Sequence, residues 1–170
     1  FSVLCSQENT LNNIIKNAKI IENTDHKNLN RAKSHERAGL TNEARLIYNQ
    51  LFTNSVSNVH IFSAYKSFLY KQGDWGKLIE ISILYANAVS PDPYGMVALA
   101  DSYLLTENEK EAYKIFDSLF LEHSSDIKKL KRFISKLFYH NKIDYALEEI
   151  SKIRQRYSHS NFYTLDLGSY

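Results

Sequence analysis

The chain repeats itself at intervals of 34 residues. Gly39 and Gly73 lie one interval apart, while Ala44, Ala112 and Ala146 are separated by two intervals and then one. Each of these alanines is followed four positions later by a large apolar residue: Tyr48, Phe116 and Ile150. Self-similarity at this interval is the signature of stacked helical hairpins, in which each hairpin covers the apolar face of the next. The spacing therefore predicts an all-α repeat protein, which offers a surface for holding a partner rather than a pocket for chemistry.

Residues that break helices are scarce, which agrees with this prediction. The 170 residues include 5 glycines and 2 prolines, too few for a sheet connected by many tight turns. They also include 12 tyrosines and 9 phenylalanines, which suit contacts between helices because each ring buries a large area. At 44% hydrophobic and 24% charged residues, the composition is that of a folded protein of one ordinary domain.

The repeat divides the chain into hairpins, each made of a first and a second helix. We expect four hairpins and, around them, a leading helix in 8–24 and a partial fifth hairpin in 161–170. The four hairpins are assigned to residues 25–58, 59–92, 93–126 and 127–160. Their first helices are predicted at about 25–38, 58–72, 94–105 and 126–140. Their second helices are predicted at about 42–53, 75–88, 108–122 and 143–157.

The turns inside the hairpins carry their own signals. Gly39 and Gly73 stand where a helix ends and a positive φ is expected, and Asn141 is expected to play the same part in the fourth hairpin. Thr41 is predicted to cap the second helix of the first hairpin with its hydroxyl group. The turn of the third hairpin has no glycine.

These residues resemble the tetratricopeptide repeat (TPR) family, whose pattern has a small residue and a tyrosine in the first helix and an alanine and a phenylalanine in the second. The third hairpin matches best, at Leu99, Ala100, Tyr103, Ala112 and Phe116. The first hairpin matches at Ala32, Gly39, Ala44, Tyr48 and Leu51, and the fourth at Ala146, Ile150 and Ile153. The resemblance covers residues 25–157 and implies a right-handed α-solenoid.

The second hairpin departs from the family pattern. Lys66 stands where the first helix has its small residue, Leu78 replaces the alanine, and Ser82 replaces the phenylalanine. We expect Trp75 and Tyr85 to fill the space that these changes leave.

The resemblance also implies where a partner binds, because first helices line the concave face of tetratricopeptide arrays. By position, the residues expected there are Lys33, Arg37, Tyr70, Lys71, Tyr94, Val97, Asp101, Leu104, Lys128, Lys131, Ser135, Phe138 and Tyr139. This face is expected to be apolar in the middle and basic at its C-terminal end. Some arrays clamp a terminal carboxylate with lysine and asparagine, but that clamp does not carry over. Leu29 and Lys33 occupy its first pair of positions, and Ser63 and Ser67 its next.

Charge is distributed unevenly along the chain. The net charge is +2, but residues 93–126 carry seven acids and two bases, while residues 127–160 carry nine bases and three acids. The basic run Lys128-Lys129-Leu130-Lys131-Arg132, with Lys136, has two interpretations. It is a docking site for an acidic partner, RNA or an anionic surface, or it is a solvated face that complements acids of the preceding hairpin. The acids considered for that role are Glu111, Asp117 and Glu122.

Signatures of enzyme chemistry are absent from the sequence. Cys5 is the only cysteine, and the six histidines form no zinc motif. No phosphate-binding loop, dinucleotide fingerprint or nucleophile elbow occurs. We therefore expect a non-catalytic protein–protein interaction scaffold without metal or cofactor, and a protein or peptide as its partner. Two alternatives stay open: an RNA-binding helical-repeat module, and a regulatory or targeting segment of a larger enzyme. A near-neutral charge and the 34-residue period make nucleic acid the weaker candidate.

The first residues leave the compartment open. Residues 1–7 are apolar and then polar, which fits either the remnant of a secretory signal peptide or a boundary inside an N-terminal helix. The chain is exported or periplasmic in the first case and cytoplasmic in the second. No apolar run in the sequence is long enough to span a membrane.

Overall fold

The structure, a computed structural model, describes residues 24–156, and all of its regular elements in that range are α-helices. Helix α1 is described from residue 24, the first described residue, and ends at residue 37. The others are α2 (Thr41–Asn54), α3 (Val59–Gln72), α4 (Trp75–Val89), α5 (Pro93–Leu105), α6 (Glu109–Glu122), α7 (Ile127–Tyr139) and α8 (Ile143–Arg156). The end of α1 and both bounds of α2 to α8 lie within one residue of their predicted positions, and the all-α prediction is confirmed. The leading helix and the partial fifth hairpin lie outside the described residues.

The chain divides into two compact units, Phe1–Asp74 and Trp75–Tyr170, called here the N-terminal and C-terminal units. The boundary follows α3, so the two helices of the predicted second hairpin belong to different units. In the N-terminal unit α2 packs against α3. Four rings form the centre of that contact: Tyr48 stacks on Tyr65 at 5.7 Å between centroids, and Phe52 and Phe68 lie beside them.

In the C-terminal unit each helix packs against the next along the chain, from α4 to α8. One continuous core runs through α5, α6, α7 and α8. Ala112 and Ala146 are completely buried in it, as the repeat pattern requires of a small residue between helices. This sequential packing is that of an all-α helical-repeat protein.

Helices α4 and α5 approach each other closely at Gly95. A Cβ atom at this position would lie 2.4 Å from Cγ2 of Val89 and 3.0 Å from Cα of Ala86. Only a hydrogen atom fits there, so Gly95 is required by the distance between the two helices.

The turns confirm three of the four predictions made for them. Gly39, Gly73 and Asn141 adopt left-handed conformations, with φ values of 74°, 67° and 57°. The prediction for Thr41 is wrong: α2 begins at that residue, Leu40 holds the cap position, and no side chain caps the helix. In the third hairpin Glu107 takes the left-handed conformation, with φ of 60°.

The packing of the second hairpin differs from the expectation. Ser82, which stands in place of a phenylalanine, is completely buried, and its Oγ lies 2.7 Å from Oγ of Ser102 on α5. Each hydroxyl also lies within hydrogen-bond reach of a carbonyl in its own helix. Tyr85 is buried, as expected, but the prediction for Trp75 is wrong because 42% of its surface is exposed. A polar contact between helices therefore replaces one of the ring contacts.

Candidate interaction surface

The predicted contact residues separate into surface and core. Arg37, Tyr70, Lys71, Lys128, Lys131 and Tyr139 are exposed, and Lys33, Tyr94, Ser135 and Phe138 are partly buried. Val97, Asp101 and Leu104 are buried. Val97 and Leu104 belong to the same core cluster as Phe116 and Leu137, so they offer almost no side-chain surface to a partner. The apolar middle expected for the groove is therefore part of the core.

In the N-terminal unit, Glu36 of α1 connects two helices. Its carboxylate accepts hydrogen bonds from Nζ of Lys71 on α3 at 2.7 Å and from the hydroxyl of Tyr48 on α2 at 2.9 Å. Burial alone would raise the pKa of Glu36, but the hydrogen bonds from Lys71 and Tyr48, together with the charges of Lys71 and Arg37, outweigh burial and lower it. Lys71, predicted as a contact residue, is thus already engaged within the chain.

In the C-terminal unit, Asp101 of α5 holds the end of α7. Its Oδ1 lies 2.7 Å from Nε2 of His140 and 3.3 Å from Nζ of Lys136. The side chains of Asp101 and His140 are almost fully buried, at 7% and 8% exposed. Asp101 was predicted to contact a partner, but its position makes it an internal anchor for α7.

A second contact holds the first half of α7 against the start of α5. The guanidinium carbon of Arg132 lies 3.8 Å from the centroid of the Tyr94 ring, a cation–π geometry. Arg132 and Lys136, one turn apart on α7, are therefore both used to fix this helix against α5. Tyr94, another predicted contact residue, is partly covered by Arg132.

Two lysines of α7 remain without an ion pair among residues 24–156. Lys129 pairs with Asp126 at 3.4 Å, whereas Lys128 and Lys131 are exposed and no described acid lies within pairing distance. At 100° per residue, Lys128, Lys131, Ser135 and Tyr139 fall on one side of the helix. These four residues, the α7 stripe, run along the solvent side of α7.

Two acids of the preceding hairpin pair with lysines of the basic run, Asp126 with Lys129 and Asp101 with Lys136, but the three acids considered from the sequence do not pair with the α7 stripe. Glu111 pairs with Lys114 on its own helix, and Asp117 accepts a hydrogen bond of 2.7 Å from the hydroxyl of Tyr145. Glu122 is exposed near the end of α6, and it forms no ion pair with the described part of α7. No acid among residues 24–156 therefore pairs with the exposed Lys128 or Lys131.

Among the large hydrophobic residues in the described part of the chain, Tyr139 is the most exposed, with 77% of the residue accessible. Its ring stands perpendicular to that of His140, with 5.1 Å between centroids, and Nζ of Lys136 lies 5.5 Å from it. Both neighbours are bound to Asp101, so the ring is exposed and yet flanked by anchored groups.

The side of the unit where α6 meets α8 and the preceding Lys142 carries a set of ring and polar contacts, which sequence reasoning missed. The rings of Tyr113 and Tyr145 stack at 4.1 Å. Glu109 accepts hydrogen bonds from Lys142 at 2.5 Å and from the hydroxyl of Tyr113 at 2.9 Å. Burial, the hydrogen bond to Glu109 and the charge of that residue raise the pKa of Tyr113 to about 12. These side chains are satisfied by one another, so this side is a structural seam between the helices.

Residues 24–156 contain no cluster of three or more histidine, cysteine, aspartate or glutamate side chains placed to hold a metal ion. Within the same range, none of the helices is both long enough and apolar enough to span a bilayer. Comparison with models of protein families finds no match for the chain, and comparison with curated proteins finds none either.

Proposed function

We propose that the chain is a non-catalytic interaction scaffold of the tetratricopeptide type, and that the surface formed by α5 and α7 binds a peptide or a partner protein. The observation that carries the proposal is the fixation of α7 against α5 by two separate contacts, Asp101 with His140 and Lys136, and Tyr94 with Arg132. These contacts leave the α7 stripe projecting from an ordered helix. A binding surface that is ordered before the partner arrives avoids much of the entropic cost of binding.

The residue types of the stripe suit protein recognition. Tyrosine is enriched among the residues that contribute most to binding, because a rigid ring covers a large area and carries a polar end. Lysines around such a ring guide and orient an acidic partner. Tyr139, Lys128 and Lys131 combine the two types on one helix.

An RNA-binding module has less support. Non-specific binding to nucleic acid depends on neutralising many phosphates. Of the five bases in α7, Lys129 and Lys136 pair with acids, while Arg132 lies against the ring of Tyr94 and has no acid partner among residues 24–156. At most three bases of this helix, Lys128, Lys131 and Arg132, therefore remain for phosphates.

Site-specific photo-crosslinking tests the proposal. A photoreactive phenylalanine analogue is placed at position 139, or at position 121 as a control, since Leu121 is also exposed but lies on α6. In cell extract, we expect protein adducts at position 139 that disappear when excess unlabelled chain is added, and no such adducts at position 121. Equal adducts at both positions, or none at position 139, would contradict the proposed function.

A further inference from the structure

The spacing of the α7 stripe sets requirements for the segment that it can bind. Lys128 and Lys131 lie one helical turn apart, so their ammonium groups can reach two carboxylates about 5–7 Å from each other. In an extended chain, side chains at i and i+2 point to the same side and lie about 6.6 Å apart. Two acids separated by one residue therefore fit the two lysines.

The distance to Tyr139 adds a third requirement. Tyr139 follows Lys131 by eight residues, which corresponds to about 12 Å along the helix. An extended chain covers that distance in about four residues, and an even number keeps the side chain on the same side as the acids. A large apolar side chain four residues from the nearer acid would thus reach the ring of Tyr139.

Resting on the proposed function, we infer that the α7 stripe binds an extended acidic protein segment with carboxylates at i and i+2 and a large apolar side chain at i+6. The acids pair with Lys128 and Lys131, and the apolar side chain packs on Tyr139. A segment that runs in the opposite direction fits equally well if it keeps the same spacing, because the α7 stripe is a single row of side chains.

Charge favours a protein segment over RNA as the occupant. Three bases of α7 could meet phosphates, Lys128, Lys131 and Arg132, and the last of these is held against Tyr94. RNA would therefore have few phosphate contacts at this short site, whereas two carboxylates match the two lysines of the α7 stripe. The salt dependence of binding follows from this count: about two charges are neutralised, so affinity falls far less steeply than for a protein with six or more phosphate contacts.

Fluorescence anisotropy with synthetic peptides and the full chain tests the inference. The probe is a labelled peptide with glutamates at i and i+2 and phenylalanine at i+6, in an otherwise Gly/Ser sequence. Matched peptides carry glutamine at both acidic positions, alanine at i+6, or phenylalanine moved to i+5. We expect each change to weaken binding, and the glutamine peptide to bind about tenfold more weakly, since two charge pairs of about 0.7 kcal/mol each are lost.

The protein variants provide the second arm. Lys128→Glu combined with Lys131→Glu is expected to weaken binding of the acidic peptide about tenfold or more, because attraction becomes repulsion. The control combines Lys110→Glu and Arg154→Glu, which changes the net charge equally at two exposed positions on α6 and α8. Affinity unchanged from wild type is expected for this control. A single-stranded RNA decamer, measured in parallel, is expected to bind more weakly than the peptide at physiological salt.

Three results would overturn the inference: no saturable binding of the probe below about 1 mM, equal binding of the glutamate and glutamine peptides, or tighter binding of the RNA decamer. Each is distinguishable from failure of the proposed function. If specific adducts form at position 139 in the crosslinking experiment but the peptides fail, the scaffold stands and only this partner chemistry is wrong. If no adducts form, the proposed function itself fails.

Discussion

Nε2 of His140 lies 2.7 Å from Oδ1 of Asp101, and the two buried side chains connect the C-terminal end of α7 to the middle of α5. No other described acid contacts His140. Oδ1 of Asp101 also accepts a hydrogen bond from Nζ of Lys136. One carboxylate thus holds two groups from the last turns of α7.

The first prediction concerns this carboxylate. Asp101→Ala is expected to destabilise the C-terminal unit by about 1–3 kcal/mol, because it leaves the polar atoms of a buried histidine and a partly buried lysine without their partner. Urea unfolding followed by circular dichroism measures the change. Glu122→Ala is the control, since Glu122 is an exposed acid near a helix end and its loss should change stability by less than about 0.5 kcal/mol. Equal stability of the two variants would show that the Asp101 contacts do not hold α7.

The second prediction uses two glycines in helices of the same unit. Gly95→Ala is expected to destabilise by about 1–3 kcal/mol, because the new Cβ meets the backbone of Ala86 as well as the side chain of Val89. Gly76→Ala is expected to be neutral or to stabilise by up to about 1 kcal/mol, because open space surrounds the position and alanine favours the helix. Thermal melting of both variants measures these changes in stability. A stabilising effect of Gly95→Ala would contradict the close approach of α4 and α5.

The third prediction tests the small residue of the repeat. Ala112 is completely buried between helices of the core, and Ala112→Trp is expected to abolish cooperative unfolding of the C-terminal unit, since the ring has no space there. Ala88→Trp places the same ring at an exposed position of α4 and should leave the melting transition nearly unchanged. Near-ultraviolet circular dichroism and calorimetry report the outcome. A cooperative, wild-type-like transition for Ala112→Trp would mean that the assigned register is wrong.

The fourth prediction concerns acid stability. The pKa of Glu36 is lowered from its ordinary value of 4.5, so its contribution to stability is fully present above that pH and is lost as the pH falls through the folded-state pKa. Glu36→Gln is therefore expected to be less stable than wild type at pH 7, by about 1 kcal/mol, and to approach wild type near pH 3.

Urea unfolding at several pH values between about 3 and 7 measures this convergence. Glu43→Gln is the matched control, because Glu43 is exposed in the first turn of α2 and lies in the same unit. A difference between wild type and Glu36→Gln that stayed constant over the whole pH range would contradict the role assigned to the Glu36 carboxylate.

Most of the secondary structure could be predicted because it depends on local signals. The recurrence of apolar residues at spacings of three and four located the helices. Gly39, Gly73 and Asn141 marked turns where a left-handed residue was needed. Glu107 gave no such signal, since glutamate seldom adopts that conformation. Thr41 has the side chain of a good cap, yet the backbone places it one residue inside α2.

The candidate surface could be predicted only in part. The exposed row on α7 follows from helical periodicity, and Lys128, Lys131 and Tyr139 lie on it. Val97 and Leu104 were assigned to the surface by position, but neighbouring helices cover them, and a repeat pattern does not show how far that covering extends. The contacts of Asp101 with His140 and of Tyr94 with Arg132 join residues 39 and 38 positions apart, and no local pattern marks such pairs.

The attachment of α7 to Asp101 lets this one acid affect a side chain that it does not touch. His140 directly follows Tyr139, and Nζ of Lys136 lies 5.5 Å from the centroid of the Tyr139 ring. Because Asp101 holds both neighbours, the orientation of this exposed ring depends on a buried residue of another helix. Substitutions at position 101 can therefore change the orientation of the exposed ring without altering any amino acid on the surface.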